Sequence, residues 1–596
     1  MPAHPALARL ASVALALVVA AVAGADARAQ DAVGPAPAPA PPVAPGPAPS
    51  AWVRDLRDVA VPMRDGATLA ANVRLPEAPG RYPAIVVQTP YDKDRMGREV
   101  GDAAAGGEAA RGSAAAWARF DRAHYAYVFV DWRGFHASRA AQATVDRRTW
   151  RRGQDGFDVV EWVAAQPWCD GKVGTWGGSA LGKQQLDTAA ERPPHLVCAV
   201  PLIAFMGQRA EGYFEGGVPL EAHTRALDAL GFGVGTWVEA NPFPTSPAWA
   251  LARRLTDRPE RIDVPCLFVS GWFDLFPREV IETFEAVVAR GGERARAGSK
   301  LVMGPWAHTA VDLAAQGELS FPAAEGVSTA LTLRFFDHHL RGLDVGWDAE
   351  PRVRLFQTGE ERWVTGESVA ALAGTPVTWT LTADGGLERA DGAGPVATGG
   401  RPSRVLRDDP SVPTPTRGGR NLPPLAFGPR DQASPTGAAD ELAFGSAPLG
   451  APWAARGDVT LSLVLLCDRP DADVVARLCD GFPDGRSMLV AETAVRASLR
   501  DGRTRRLLAP GEPVRVTLRF PPTAWTWPAG HRIVLRLSGS SAPRYERNPH
   551  TGAARWDATK AVPATVEVLL GPDAASLRLP GGGEVPSPGA GADPAR

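Results

Sequence analysis

Apolar residues are distributed along this chain in distinct rhythms. Between Val53 and about Ile203, short apolar runs at 84–87 and 127–131 end in polar or turn residues, and stretches of helical spacing lie between the runs. Phe157, Val160 and Val163 predict a helix over 156–165, 172–176 reads as a strand, 184–190 as a helix and 196–202 as another buried strand. Strands spaced by helices imply a parallel sheet covered on both faces. The rhythm breaks over 205–258, where Phe205, Tyr213, Phe214, Phe232 and Trp237 sit among glycines and only short helical patches occur. It then resumes with a strand at 266–271, a helix at 278–289, a strand at 300–304 and a helix at 329–340. An insertion between two strands of such a sheet is expected to cap an active site.

Past about residue 346 the pattern changes to period two. Val459, Leu461, Leu463 and Leu465 alternate with less apolar positions, and Val514, Val516, Leu518 and Phe520 are separated by Arg515, Thr517 and Arg519. Ile533, Leu535 and Leu537 repeat the alternation. Such alternation between turn residues predicts half-buried antiparallel strands. Residues 346–585 therefore read as an all-β domain of sandwich or jelly-roll type, followed by a disordered tail at 586–596.

At 596 residues the chain exceeds what one core supports. The segments above divide it into an α/β domain at 51–204 and 259–345, a cap at 205–258 and the β domain. The composition, 45% hydrophobic and 22% charged, is that of a globular protein, and a net charge of −2 argues against nucleic-acid or polybasic membrane partners. Residues 1–29 carry His4 and Arg9, an apolar run at 10–23 too short to span a bilayer comfortably, and Ala27-Arg28-Ala29 in a small-x-small cleavage pattern. This predicts an export signal, an extended Pro/Ala-rich linker over 30–50 and a periplasmic or secreted mature protein. Five cysteines are an odd count. Cys169, Cys198 and Cys266 lie in apolar surroundings expected of inert core residues. Cys467 and Cys479 lie on what read as neighbouring strands, which leaves a disulfide open. No Cys or His spacing resembles a metal site, and no cofactor is expected.

The chemistry gathers around Val173-Gly174-Thr175-Trp176-Gly177-Gly178-Ser179-Ala180-Leu181-Gly182, a strand running through glycines into a serine and then a helix. A serine on such a turn has its hydroxyl exposed at the sheet edge, as the nucleophile of an α/β-hydrolase does. The spacing is Gly-x-Ser-x-x-Gly, with Leu181 where the common pentapeptide has its second glycine. A serine hydroxyl needs a general base, and the base an orienting carboxylate, in the chain order Ser, acid, His. Asp274 follows the strand at 266–271 and His308 the strand at 300–304, so both lie where strands deliver residues to the ligand-binding edge. Asp274 could instead cap the helix that starts near Pro277. His136, His195, His338 and His339 fit the order or the strand context less well.

Several segments resemble the CocE/NonD type of serine hydrolases, the cocaine esterase and X-Pro dipeptidyl-peptidase group with its α-amino acid ester hydrolase and glutaryl acylase relatives. They are Thr89-Pro90-Tyr91-Asp92-Lys93, Asp131-Trp132-Arg133-Gly134 with Ser138, Gln166-Pro167-Trp168-Cys169-Asp170-Gly171-Lys172-Val173-Gly174, the serine turn, Gly271-Trp272-Phe273-Asp274, Gly304-Pro305-Trp306-Ala307-His308 and Pro543-Arg544-Tyr545-Glu546-Arg547-Asn548-Pro549. The resemblance covers roughly residues 53 to 572, and Gly-x-Ser-x-x-Gly is usual in that family. It implies an α/β-hydrolase fold with a small cap, followed by a jelly roll (galactose-binding-like). It implies Ser179 as nucleophile, His308 as base, Asp274 as orienting acid, and the Tyr91 hydroxyl with the Ala180 amide as oxyanion hole.

Departures from the family pattern shape the expected substrate. Ala180 stands where relatives often have Tyr, and the cap is short. Leu275-Phe276-Pro277 offers no acid beside Asp274 to hold a substrate ammonium. Glu211, Glu215 and Glu221 in the cap could substitute, although surface charge also explains them. The expectation is an ester or amide hydrolase acting on a small molecule, with the β domain buttressing the cleft and a homo-oligomer left open. An X-Pro or amino-terminal peptidase on the same triad, and a non-catalytic binding protein, are the alternatives.

Overall fold

The computed structural model describes residues 54–98, 120–144, 151–390, 402–433 and 440–581. The expected signal, linker and tail at 586–596 lie outside the described residues. Ten strands form the central sheet: β1 (Arg54–Pro62), β2 (Thr68–Leu75), β3 (Tyr82–Thr89), β4 (Ala126–Asp131), β5 (Cys169–Gly178), β6 (Leu196–Leu202), β7 (Leu267–Phe273), β8 (Lys300–Ala307), β9 (Val353–Gln357) and β10 (Arg362–Gly366), in the order β1-β2-β4-β3-β5-β6-β7-β8-β9-β10. From β4 through β9 neighbouring strands run parallel. The interior strands are apolar on both faces because helices cover both, among them α1 (Lys93–Arg98), α2 (Arg152–Ala164), α3 (Ala180–Glu191), α7 (Pro277–Arg290) and α8 (Val327–Arg341). Between β6 and β7 stand the cap helices α4 (Glu221–Ala229), α5 (Val234–Ala240) and α6 (Pro247–Thr256).

The sheet runs past the expected boundary at 345, because β9 pairs with β8 and β10 with β9. Beyond it the chain is mostly antiparallel β. A seven-stranded sheet contains Thr460–Cys467, Val514–Arg519 and Ala564–Leu569, and a four-stranded sheet contains Asp473–Gly481, Ser487–Arg496 and Arg532–Ser538. Cys467 and Cys479 therefore lie in different sheets rather than on neighbouring strands, and both are free buried thiols, which corrects the disulfide left open above. Cys169, Cys198 and Cys266 are also free and buried, as expected of core residues.

Candidate active site

Ser179 sits between the last residue of β5 and the first of α3, with φ 58° and ψ −121°. Its amide donates to the Leu202 carbonyl at the end of β6 (3.0 Å), which ties the turn to the neighbouring strand. Gln185 donates to the Gly177 carbonyl (2.9 Å) and accepts from the Val200 amide (3.0 Å), holding the approach to the turn from below. A Cβ on Gly182 would stand 2.5 Å from Cβ of Ala204 and 2.9 Å from the Leu202 carbonyl oxygen, so α3 packs onto the chain beyond β6 only through a glycine at that position. Leu181 instead covers Gly177 and joins an apolar cluster. The serine motif thus needs its glycine three residues after Ser179.

Asp274 and His308 meet as their strand ends suggest. The His308 Nδ1–H donates to Asp274 Oδ1 at 2.5 Å, with Asp274 fully buried and His308 nearly so. The second carboxylate oxygen accepts from the Ser270 hydroxyl (2.9 Å) and the Phe276 amide (3.2 Å). The cap residue of α7 is Phe276, so Asp274 is not the helix cap. Phe276 stands edge-on to the His308 ring at 6.0 Å and also lines the cavity that holds Ser179.

Tyr91 reaches over to the serine turn. The Tyr91 hydroxyl is within hydrogen-bonding reach of the Ser179 hydroxyl and the Ala180 amide. Burial pushes the phenol above its ordinary pKa, with those hydrogen bonds pulling the other way, so Tyr91 remains a protonated donor. The Ser179 side chain is engaged with Tyr91, and no hydrogen bond joins it to His308 among the described residues. The Tyr91 loop is pinned from several sides. Asp131 accepts from the amides of Lys93 (2.8 Å) and Ala137 (3.1 Å), and His136 Nε2 meets the Pro90 carbonyl (2.9 Å). The Asp131–Ser138 motif thereby shapes the loop that carries Tyr91, and His136 belongs to that support. His195 pairs with Glu161, while His338 and His339 lie in α8, so none of these reaches the serine.

A cavity of about 230 Å³ opens at Ser179, walled by Trp132 and Phe205 and by the cap residues Tyr213, His223 and Phe232. A larger cleft of about 610 Å³ adjoins it and shares Trp132, Arg152 and Phe232. The cap carboxylates do not face the cavity. Glu215 is bound by Arg420, Arg544 and Tyr545 of the β half, Glu221 pairs with Arg225, and Glu211 pairs with Arg253. Glu215 is thus neither a surface charge nor an ammonium site. His223 and Lys183 were not singled out in the sequence. His223 bears no motif, and Lys183 reads as an ordinary helix residue until the cap is folded over it. Burial, with smaller contributions from the charges of His308 and Arg544, pushes His223 down to about 3 and keeps it neutral.

Residues 65–248 and 235–310 match the family model of the X-Pro dipeptidyl-peptidase (S15 family), and residues 345–577 match that of the X-Pro dipeptidyl-peptidase C-terminal non-catalytic domain. The cocaine esterase of Rhodococcus sp. (strain MB1 Bresler) is 29% identical over 581 residues, covering 87% of this chain and 96% of that protein. Among solved structures, an α-amino acid ester hydrolase is similar at a TM-score of 0.71 and 22% identity, covering 91% of this chain and 99% of the other. An aminopeptidase from a marine sediment Thaumarchaeota archaeon gives a TM-score of 0.72 at 20% identity, covering 89% and 96%. Both structural likenesses are of fold.

Proposed function

The chain belongs to the CocE/NonD-type family of serine hydrolases, and on that premise we propose that Ser179, His308 and Asp274 are its catalytic triad, cleaving a carboxylic ester or amide through an acyl-enzyme. The observations that carry this reading are the Tyr91 hydroxyl within reach of both the Ser179 hydroxyl and the Ala180 amide, and the buried His308–Asp274 hydrogen bond. In the reaction the Ser179 oxygen attacks the substrate carbonyl while His308 Nε2 takes its proton. Asp274 holds the ring by Nδ1 and stabilises the imidazolium that forms. Negative charge develops on the former carbonyl oxygen, where Tyr91 O–H and Ala180 N–H donate to it. The partial positive charge of the α3 N-terminus favours the same charge. Collapse expels the alcohol or amine, protonated by His308, and water activated by the same ring then releases the acid.

The cavity has no carboxylate among its described lining residues, and Glu215 is consumed by two arginines. A substrate α-ammonium therefore has no counter-ion there, which favours esters of acids without a free amino terminus over X-Pro or aminopeptidase substrates. Hydrolysis of aryl acetates alongside Ala-Pro and Gly-Pro arylamides tests this. Turnover of the esters and none of the amides is expected, whereas efficient release from the amides would make the protein an amino-terminal peptidase. The apolar run at 10–23 and the Ala27-Arg28-Ala29 pattern support export of the enzyme to the periplasm or medium.

A further inference from the structure

The cap adds three neutral polar side chains to the wall of the Ser179 cavity: Gln208, Tyr213 and His223. None of the three makes a side-chain hydrogen bond among the described residues, and His223 Nδ1 is buried without a partner. Packing fixes two of them. The Tyr213 ring lies 5.3 Å from that of Trp249 and 6.3 Å from that of His223, and the His223 ring stands edge-on to Phe276 at 5.6 Å. Gln208 is tied through its backbone, whose amide donates to the Thr256 hydroxyl at 2.7 Å. The two cations of the wall are already engaged. Lys183 donates to the carbonyls of Phe205 (3.2 Å) and Gly207 (3.0 Å), and Arg152 binds Asp187 at 2.6 Å. Burial pushes His223 down to about 3 and the Tyr213 phenol above its ordinary value, so both present neutral groups.

A neutral imidazole, a phenol and a side-chain amide each carry both a donor and an acceptor. A plain alkyl chain laid against them leaves those atoms unpaired, whereas a hydroxyl donates and accepts at a single atom. The rings of Phe205, Phe232 and Phe276 supply the apolar contact that the carbon skeleton of such a group also needs. We propose that this cavity holds a neutral, hydroxyl-bearing part of the substrate, so that the preferred esters are those of hydroxy acids or of polyols, recognised by Gln208, Tyr213 and His223. The inference rests on Ser179 being the nucleophile and names the substrate class for it. Water is the only co-reactant: it adds across the ester C–O bond to give the acid and the alcohol, and the recognised hydroxyl stays intact.

The test pairs each hydroxylated ester with one in which a methyl group replaces the hydroxyl. On the acid side methyl lactate is set against methyl isobutyrate, and methyl glycolate against methyl propanoate. On the alcohol side ethylene glycol monoacetate is set against propyl acetate. After correction for their rates of alkaline hydrolysis, at least one hydroxylated ester is expected to exceed its partner in kcat/KM by about tenfold to a hundredfold, the range for leaving a buried polar group unpaired. The side on which the gain appears identifies whether the acid or the alcohol sits under the cap. Tyr213→Phe and His223→Leu should each reduce that gain about fivefold or more while nearly sparing the methyl partner. Of His223→Asn and His223→Gln, which return an amide in place of one or the other ring nitrogen, one should restore it. Equal losses on both members of a pair would show that Tyr213 and His223 only pack the cap, and would overturn the proposal. So would equal wild-type kcat/KM within every pair. If plain esters are cleaved, or Ser179 takes up a fluorophosphonate, while no hydroxylated ester is favoured, only the present inference falls. If no ester is turned over and the fluorophosphonate fails to label Ser179, the catalytic reading fails with it.

Discussion

Ser179 holds a backbone conformation that costs a non-glycine residue about 1–3 kcal/mol. The bonds of its own amide to Leu202 and of Gln185 to the neighbouring strands hold it there. The result is a hydroxyl presented at the start of α3 with Tyr91 above it. If Tyr91 donates to the oxyanion, Tyr91→Phe keeps the ring that packs against Phe232 and removes only the donor. A fall in kcat of about 10²–10³ with KM nearly unchanged is expected from steady-state kinetics. Near-normal kcat would assign the second donor elsewhere. Ser179, Asp274 and His308 were legible in the sequence because each follows a short apolar strand, and strand ends of a parallel sheet share one edge. Tyr91 was legible only through the resemblance of its motif. Phe232 was marked only as one aromatic of the expected cap, and Lys183 and His223 were not marked at all, because their placement depends on how the cap folds back over the sheet.

At the scale of elements, the parallel sheet declared itself through compact apolar runs, and Leu196–Leu202 was read with its observed bounds. The β half was harder. Val514–Arg519 and Arg532–Ser538 alternate as half-buried strands should. Asp473–Gly481 and Ser487–Arg496 are buried along their whole length despite their charged residues. Their charges are paired internally: Arg496 binds Asp473 (2.9 Å) and Arg477 binds Glu492 (2.8 Å). Pairing that permits a charge to be buried leaves no periodic signature, so alternation in the sequence does not mark these two covered strands. The spacing of the serine motif has a similar origin. Whether the glycine is needed at 181 or at 182 depends on the chain it must touch, here Ala204 after β6.

Across the whole molecule, the β half grips both the cap and the acid loop. Arg420 donates to the carbonyl of Leu275, the residue after Asp274 (3.1 Å), and to both oxygens of Glu215 in the cap (2.5 Å each). Arg278 of α7 reaches back to the Phe520 carbonyl (2.6 Å) and Asp458 (2.9 Å). Arg420→Ala leaves Glu215 with less compensation and frees the Leu275 loop. Breaking such a buried pair is expected to cost about 3–5 kcal/mol by chemical denaturation. Misplacing Asp274 and His308 should lower kcat by about one to two orders of magnitude. Combining Arg420→Met with Glu215→Gln should recover part of the stability, since no unpaired charge then remains. A variant with full stability and activity would show that the β half does not brace the site.

The central claim is that Ser179 is the nucleophile activated by His308 and Asp274. Reaction with a fluorophosphonate, followed by mass spectrometry of the digested protein, tests it most directly. The expected result is one adduct on the peptide carrying Ser179, absent from Ser179→Ala and formed far more slowly in His308→Ala. Adduct retained in Ser179→Ala, or no adduct in the active wild-type enzyme, would contradict it.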